Sequence, residues 1–385
     1  MKISIIHSLY KPFYRGGAEV VVEAIARGLV GTGHEIQVVT LGRENESEVI
    51  DGVTIVRIKP FNVFNFIDIN SEPMWKRAIW HVVDMFNIVQ AQQVKKTLAD
   101  FQPELILTHN LKGLGYAVPR TIQKLNVPII HTIHDQQLSH PTGLAGEQLS
   151  LVAKLYAAIC RWLFGNYQRV VFPSAAIKAR YEQNHFFVNA KKLVLGNPLP
   201  YSVPELPKLE AKETYDVLFL GQVEVYKGIN ELVEAVKNIQ KPKLRLHVVG
   251  DGSTLKQLQT IAVGDERIIF HGRLAHEQLE QLWPRIELLV LPSHAWESFG
   301  MVVIEAYAHG VPVLVSKNGA LPELVIEGQT GWVLNEVTPE VIAHKVEWIM
   351  TNACRLENMR ILCQSKAKEF EISQYLKRLL DFATM

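Results

Sequence analysis

The sequence predicts an α/β protein of two doubly wound domains joined by a short linker. Three observations carry that expectation. Apolar runs of strand length alternate with apolar-periodic segments of helix length along both halves, the pattern of parallel sheets flanked by helices. At 385 residues the chain is long enough for two such domains. Between the halves, Pro198, Pro200, Pro204 and Pro207 crowd a polar stretch, a density that makes a semi-rigid connection. The expected division is 1–200 for the first domain, 201–214 for the linker, 215–370 for the second domain and 371–385 for a terminal helix.

Composition narrows the class. Lysine and arginine number 40 against 39 aspartate and glutamate, a net charge of +1, so no global field favours nucleic acid. Cys160, Cys354 and Cys363 are few and odd in number, which suits reduced thiols in a cytoplasmic protein better than a disulfide frame. The first apolar run breaks at His7 without a small-residue cleavage site, so it is expected to be a strand and no signal peptide. No window approaches the roughly 18 uninterrupted apolar residues of a membrane span.

In the first half, residues 2–9 have the pattern of a buried strand, 18–30 of a helix stopped by Gly31 and Gly33, and 34–41 of a second strand. Gly16 and Gly17 fall at the strand-to-helix turn, where glycine serves either a positive-φ bend or a close approach of backbone N–H groups to an anion. There is no G-x-G-x-x-G, so the dinucleotide fingerprint is absent. Residues 51–58 continue the strand pattern and 61–70 are aromatic and irregular. Phe61, Phe64, Phe66 and Trp75 suit packing under a loop, with contact to a lipid-linked acceptor as the second reading. Residues 74–99 have helical periodicity.

Strands at 104–108 and 128–133 end at His109-Asn110 and His134-Asp135, and open α/β sheets bind ligands at the C-terminal ends of their strands. His131 and His134 are three apart and face opposite sides of an extended chain, which argues against a zinc-chelating pair. Residues 149–167 are apolar on one face with Lys154 and Arg161 on another. Core packing is the preferred reading, with peripheral contact to a membrane surface as the alternative. Strand patterns at 170–174 and 193–200 close the domain.

The second half opens with a strand at 215–221, then Gln222, Lys227 and Gly228, and a helix from Ile229. Strands at 244–250 and 267–272 end in Gly250-Asp-Gly252 and Gly272-Arg273. The chain is organised around 288–316, LLVLPSHAWESFGMVVIEAYAHGVPVLVS, which has the signals of strand, loop, helix and strand. Ser298 is expected to cap the helix, making Phe299, Gly300 and Met301 a first turn with free N–H groups. Those donors, with the helix dipole behind them, form an anion site. Glu297 precedes it and Glu305 is expected two turns in. A carboxylate does not favour phosphate, but it accepts hydrogen bonds from sugar hydroxyls. Two carboxylates bracketing a phosphate-binding helix start fit a nucleotide diphosphate sugar.

These residues carry a family resemblance. Glu297-Ser-Phe-Gly-Met-Val-Val-Ile-Glu305, with Gly310-Val-Pro-Val, Gly319-Ala-Leu-Pro-Glu323 and Gly328-Gln-Thr-Gly331, is similar to the Glu-x7-Glu region of retaining GT-B glycosyltransferases, family 4. The resemblance implies two Rossmann-like domains facing across a cleft, the second holding the nucleotide, and a last helix near Tyr375–Phe382 returning to the first domain. It implies that Glu297 contacts the donor sugar, that Glu305 holds the ribose hydroxyls, and that Gly319 lies in a turn whose backbone meets the sugar. Arg273 falls where the base packs. His134 is placed beside the donor sugar, His109 and Asp135 on the acceptor side, and Gly16 and Gly17 near the diphosphate and acceptor. The family's Gly-Arg-Leu-x3-Lys-Gly keeps its lysine as Lys227, but Gln222 stands where the arginine is usual. An amide supplies neither charge nor a bidentate fork, so the diphosphate is left to Lys227, the helix start near Phe299 and Arg15, or is held weakly.

The expected reaction is transfer of a sugar from a nucleotide diphosphate sugar, as co-substrate, to a hydroxyl of a glycan or lipid-linked acceptor, with retention and without metal or other cofactor. Glu297, His134 and Lys227 are the catalytic candidates. The expected setting is glycan or surface-polysaccharide assembly, in the cytoplasm or at the inner membrane face. Two rivals are a nucleotide-sugar epimerase of the same architecture and a catalytically silent nucleotide-sugar-binding subunit, for which Gln222 is the best argument.

Overall fold

The computed structural model describes residues 1–14, 16–140, 151–206, 213–352 and 356–385. Arg15, Leu149, Pro207 and Cys354 therefore lie outside the described residues. The chain divides into two compact units, Met1–Tyr201 with Ile372–Met385, and Ser202–Glu371.

The first unit runs β1 (Lys2–Ile6), α1 (Gly17–Gly31), β2 (Glu35–Leu41), β3 (Glu46–Ile50), β4 (Val53–Ile58), α2 (Met74–Met85), α3 (Ile88–Phe101), β5 (Leu105–Thr108), α4 (Val118–Ile122), β6 (Ile129–Thr132), α5 (Leu151–Phe164), β7 (Arg169–Phe172), α6 (Ala175–Gln183) and β8 (Lys191–Val194). Its sheet has the order β3-β4-β2-β1-β5-β6-β7-β8, parallel except for β3. The order reverses between β1 and β5, so the loops after these strands diverge and leave a crevice at their C-terminal ends. β1, β5 and β6 are buried on both faces, which is why their sequences are continuous apolar runs.

The second unit runs β9 (Tyr215–Leu220), α7 (Ile229–Asn238), β10 (Leu244–Val249), α8 (Leu255–Ile261), β11 (Ile268–Gly272), α9 (His276–Leu282), β12 (Leu288–Leu291), α10 (Met301–Ala308), β13 (Val313–Ser316), α11 (Leu321–Leu324), β14 (Gly331–Leu334), α12 (Pro339–Thr351) and α13 (Leu356–Ala367). Its all-parallel sheet has the order β11-β10-β9-β12-β13-β14 and reverses between β9 and β12. α7 buries Ile229, Leu232, Val233 and Val236, one helical face, each side chain worth about 1.5–3 kcal/mol on full burial. The closing helix α14 (Ile372–Thr384) belongs to the first unit, where Tyr375, Leu376, Leu379 and Phe382 are buried. Gly28 lets it lie close to α1, since an added Cβ would sit 2.7 Å from Ile372 Cγ1.

Several boundaries differ from the sequence reading. β3 is an edge strand whose charged residues hid it; it turns into β4 through Asp51-Gly52, both at positive φ, the signature of a tight hairpin. The periodicity of 74–99 is two helices, broken where Asn87 caps α3 by accepting the Gln90 N–H. The aromatic cluster divides: Phe64 and Phe66 stack on Trp80 under the loop as expected, whereas Phe61 and Trp75 are exposed. α5 packs Ala157, Cys160 and Phe164 inward yet leaves Leu151, Leu155 and Trp162 exposed.

Candidate active site

In the second unit the site is assembled at the C-terminal ends of β9 and β12. After β9 the chain makes a short 3-10 turn, Val225–Lys227, and leaves it through Gly228 at φ 70°. Only glycine fits there, because a Cβ would lie 1.9 Å from the Pro292 carbonyl oxygen. The loop after β12 wraps the same turn: His294 and Ala295 donate their N–H groups to the Tyr226 carbonyl at 2.9 and 3.0 Å. This packing brings Lys227 Nζ to 2.6 Å from Glu297 Oε1, an ion pair between residues 70 apart in sequence, both about four-fifths shielded from solvent.

Glu297 is held from behind by Gly319. The two residues form an isolated parallel bridge, Ala320 N–H donates to the Glu297 carbonyl at 2.8 Å, and a Cβ on Gly319 would fall 2.1 Å from that oxygen. Close backbone contact with Glu297 thus accounts for the glycine at 319 without any ligand.

The start of α10 corrects the expected capping. The helix begins at Met301, and its cap is Gly300 in the left-handed region at φ 119° with no side-chain capping bond. Phe299 and Gly300 are outside the helix, because the left-handed backbone at Gly300 cannot continue a right-handed helix; Leu321 and Leu324 lie where a Cβ at 300 would go. Phe299 is buried with its ring against Phe370, so its side chain belongs to the core. The N–H groups at the helix start are those of Met301 and the residues after it. Glu305 lies four residues along, about 6 Å and little more than one turn, not two turns. Among the described residues no side chain or backbone group hydrogen-bonds to its carboxyl. Burial, reinforced by the charge of Glu280, pushes that carboxyl up to about 7.

Gln222 is exposed, and the Tyr226 hydroxyl donates to its Oε1. Its amide NH2 is a group that can donate to an anion. Tyr226, whose hydroxyl pKa is raised by burial and by Glu224 and Glu297, is a residue that sequence reasoning missed. Arg273, after β11, is 83% exposed with Asp251 at 3.7 Å.

The first unit gathers a second group at the ends of β1, β5 and β6. His109 Nδ1 and His134 Nε2 are 2.8 Å apart with their rings stacked, and His7 meets both rings edge-on at 6.0 and 6.2 Å. Burial, then His134 and His7, hold His109 well below the ordinary range; burial, then His7, takes His134 down to about 3. The pair is neutral at physiological pH. His109 Nε2 and His134 Nδ1 are buried without a partner among the described residues. Asp135 is raised by burial, while Gln137 N–H at 2.7 Å holds one oxygen and Asn110 Nδ2 lies 3.4 Å from the other. His109, His134 and Asp135 line a small cavity of about 10 Å³. His131 also lines that cavity, its ring stacked on Tyr167 and hydrogen-bonded to Thr108 at 3.0 Å.

Beside this group, Glu19 lies 3.7 Å from His7 Nε2 and accepts the Gly16 N–H at 2.8 Å. Burial works against its charge, but His7 and the Gly16 N–H hold its carboxyl below the usual range. The Gly16-x-x-Glu19 spacing was the available signal, a capping pattern ahead of an apolar run. Gly16 itself is extended at φ −165° and a Cβ there would meet nothing within 4 Å. Neither backbone strain nor crowding among the described residues requires glycine at 16, so the expected positive-φ bend is not what places it.

The switch-point crevices, the paired carboxylates and the lysine turn agree with two family models, "Glycosyltransferase Family 4" over residues 15–199 and "Glycosyl transferases group 1" over residues 205–369. The chain is a family 4 glycosyltransferase of the GT-B fold. This glycosyltransferase is 27% identical over 336 residues to an uncharacterized 42.6 kDa protein of the cps region of Klebsiella pneumoniae, covering 84% of this chain and 87% of the relative. It is 26% identical to a glycogen synthase of Mycobacterium tuberculosis, covering 86% of this chain and 81% of that protein. Among solved structures, sucrose-phosphate synthase from Thermosynechococcus elongatus matches with TM-score 0.76 and 20% identity over all of both chains. Anabaena HepE in complex with UDP matches with TM-score 0.73 and 18% identity, also over all of both chains. These two likenesses speak for the fold.

Proposed function

We propose that this glycosyltransferase takes a nucleotide diphosphate sugar and transfers the sugar, with retention and without a metal, to a hydroxyl of a glycan or lipid-linked acceptor in polysaccharide assembly. The Lys227–Glu297 pair carries the reading. A cation and a hydroxyl acceptor fixed together at the end of a parallel sheet suit a ligand whose phosphate adjoins a sugar. Lys227, the N–H groups from Met301 onward and the Gln222 amide would stabilise the leaving diphosphate, positive and donor groups placed where negative charge develops. Glu305, a carboxyl short of partners, would accept the ribose hydroxyls. That the structurally similar HepE was solved with UDP supports a nucleotide donor.

In the first unit, the neutral His109–His134 pair offers ring nitrogens to substrate hydroxyls, and a histidine brought down to about 3 is too weak a base to take their protons. Glu297 is engaged by Lys227, which makes its carboxylate a poor nucleophile. Both features favour retention through same-face attack, the departing diphosphate accepting the acceptor's proton.

A thermal-shift screen against UDP-, GDP- and ADP-sugars should single out one donor. Turnover with that donor and an acceptor panel, read by NMR, should give a product that keeps the donor's anomeric configuration and a rate unaffected by EDTA. Inverted product refutes retention, and loss of activity with EDTA refutes metal independence. Epimer or free sugar formed from donor alone would favour the epimerase, and binding without turnover the silent subunit, with Gln222→Arg then expected to restore transfer.

A further inference from the structure

At the ends of β6 and β7 away from His134 lies a second cavity, of about 520 Å³, between the connections that enter the two strands. Its size is within the range of about 300–1,000 Å³ usual for ligand pockets. Five polar side chains line it: Gln123 and Asn126 from the chain before β6, and Asn166, Gln168 and Arg169 from the chain that opens β7. β6 separates it from the histidine group, for Ile129 at the start of the strand lines this cavity, whereas His131 and His134, further along, line the other.

None of these five side chains hydrogen-bonds to another group among the described residues, and Arg169 has no ion pair among them. Arg169 Nε and Gln123 Nε2 are buried without a partner. A buried donor left unpaired costs about 1–3 kcal/mol, and folded proteins leave few of them. Both buried orphans are donors, so an acceptor is what the cluster lacks. Arg169 is fixed by its backbone, opening β7 between Ile130 of β6 and Lys191 of β8. The Lys191 ammonium is engaged by the Met385 carbonyl, which leaves the guanidinium as the cation of the cavity.

The lining identifies the ligand. Among the described residues no acidic side chain borders the cavity, so its field is that of one guanidinium. One planar cation matches one carboxylate through two parallel hydrogen bonds. A nucleotide would call for more positive charge and for an aromatic face, but Tyr167, the aromatic residue of the lining, is only 3% exposed and stacks on His131. Amide side chains both donate and accept, as sugar hydroxyls do, and Pro128 adds apolar surface for the C–H groups of a sugar ring. We propose that this cavity is a second saccharide site, holding an acidic sugar unit by its carboxylate on Arg169 and by its hydroxyls on the four amides. The choice of a saccharide rests on the glycan-acceptor reading above. The site would hold a remote unit of the acceptor or product chain.

The test reads binding without donor or turnover, so its failure is distinguishable from failure of the sugar-transfer reading. The full chain is titrated calorimetrically with trigalacturonic acid and with maltotriose, a neutral trisaccharide of similar size. Wild type should bind trigalacturonate at least about tenfold more tightly than maltotriose, and Arg169→Gln should abolish the difference. Gln168→Glu, at an exposed position, should weaken trigalacturonate binding about tenfold by setting a like charge beside its carboxylate. A thermal melt on each variant verifies that it is folded. Absence of trigalacturonate binding to wild type overturns the proposal, as do equal affinities for the two trisaccharides or undiminished trigalacturonate binding by either folded variant. Binding of UDP that Arg169→Gln removes would assign the cavity to a nucleotide instead.

Discussion

Replacing Glu305 by glutamine should stabilise the free protein and weaken its hold on the donor. In the folded state burial raises this carboxyl from 4.5 to about 7. A raised carboxyl pKa means that the folded state disfavours the charge. The group's contribution is therefore fully present below pH 4.5, is lost as pH rises to about 7, and is constant above. At about 1.4 kcal/mol per pH unit the whole effect is about 3 kcal/mol, and about 2 kcal/mol once side-chain relaxation and partial exposure are discounted. Glu305→Gln removes that penalty, so at pH 8 its melting temperature should exceed wild type by about 4–8 °C. Near pH 4.5 the two proteins should melt alike. The same substitution replaces a two-oxygen acceptor of sugar hydroxyls, which should raise donor KM about tenfold or more with kcat less affected. Thermal melts across pH and donor kinetics measure both effects. A melting difference independent of pH, together with an unchanged KM, would refute the reasoning.

Lys227→Ala should lower kcat/KM by about a hundredfold by removing charge from the leaving diphosphate, and should also cost about 1–3 kcal/mol of stability, because it leaves the largely shielded Glu297 carboxylate without its cation; steady-state kinetics and a denaturant titration separate the two. Gly16→Ala should leave stability unchanged, since an added methyl meets nothing within 4 Å, but impair substrate binding about tenfold if a ligand approaches the bare backbone there. Gly228→Ala is the contrasting case, with a Cβ 1.9 Å from the Pro292 carbonyl oxygen, and should lose several kcal/mol or fail to fold, as read by urea melts. His134 titrates near 3, so Asn at this position should lower activity by a similar factor throughout pH 5–8, and a pH-rate limb near 6 that the variant abolishes would contradict the neutral-histidine assignment.

Much of the fold was legible because it is encoded locally. The apolar runs of β1, β5, β9, β12 and β13 and the single buried face of α7 follow from the periods of strand and helix, which any stretch of chain carries by itself. The same holds for the spacing of Glu297 and Glu305. β3 escaped because an exposed edge strand needs no apolar pattern, and α10 was started too early because the left-handed conformation of Gly300 is set by the fold and not by the local sequence.

The sequence by itself determined the strand and helix alternation of both units, since this rests on short-range patterning. Only the tertiary structure decided which residues meet: Lys227 with Glu297, His109 with His134, Glu19 with His7. It also decided that Glu305 is half-buried with no hydrogen-bond partner among the described residues, and that α2 leaves Trp75, Ile79 and Val82 exposed while burying Trp80 and Met85. Parallel sheets bring together residues far apart in the chain through register and crossover, and burial depends on everything packed around a side chain, so neither is written in the residues nearby.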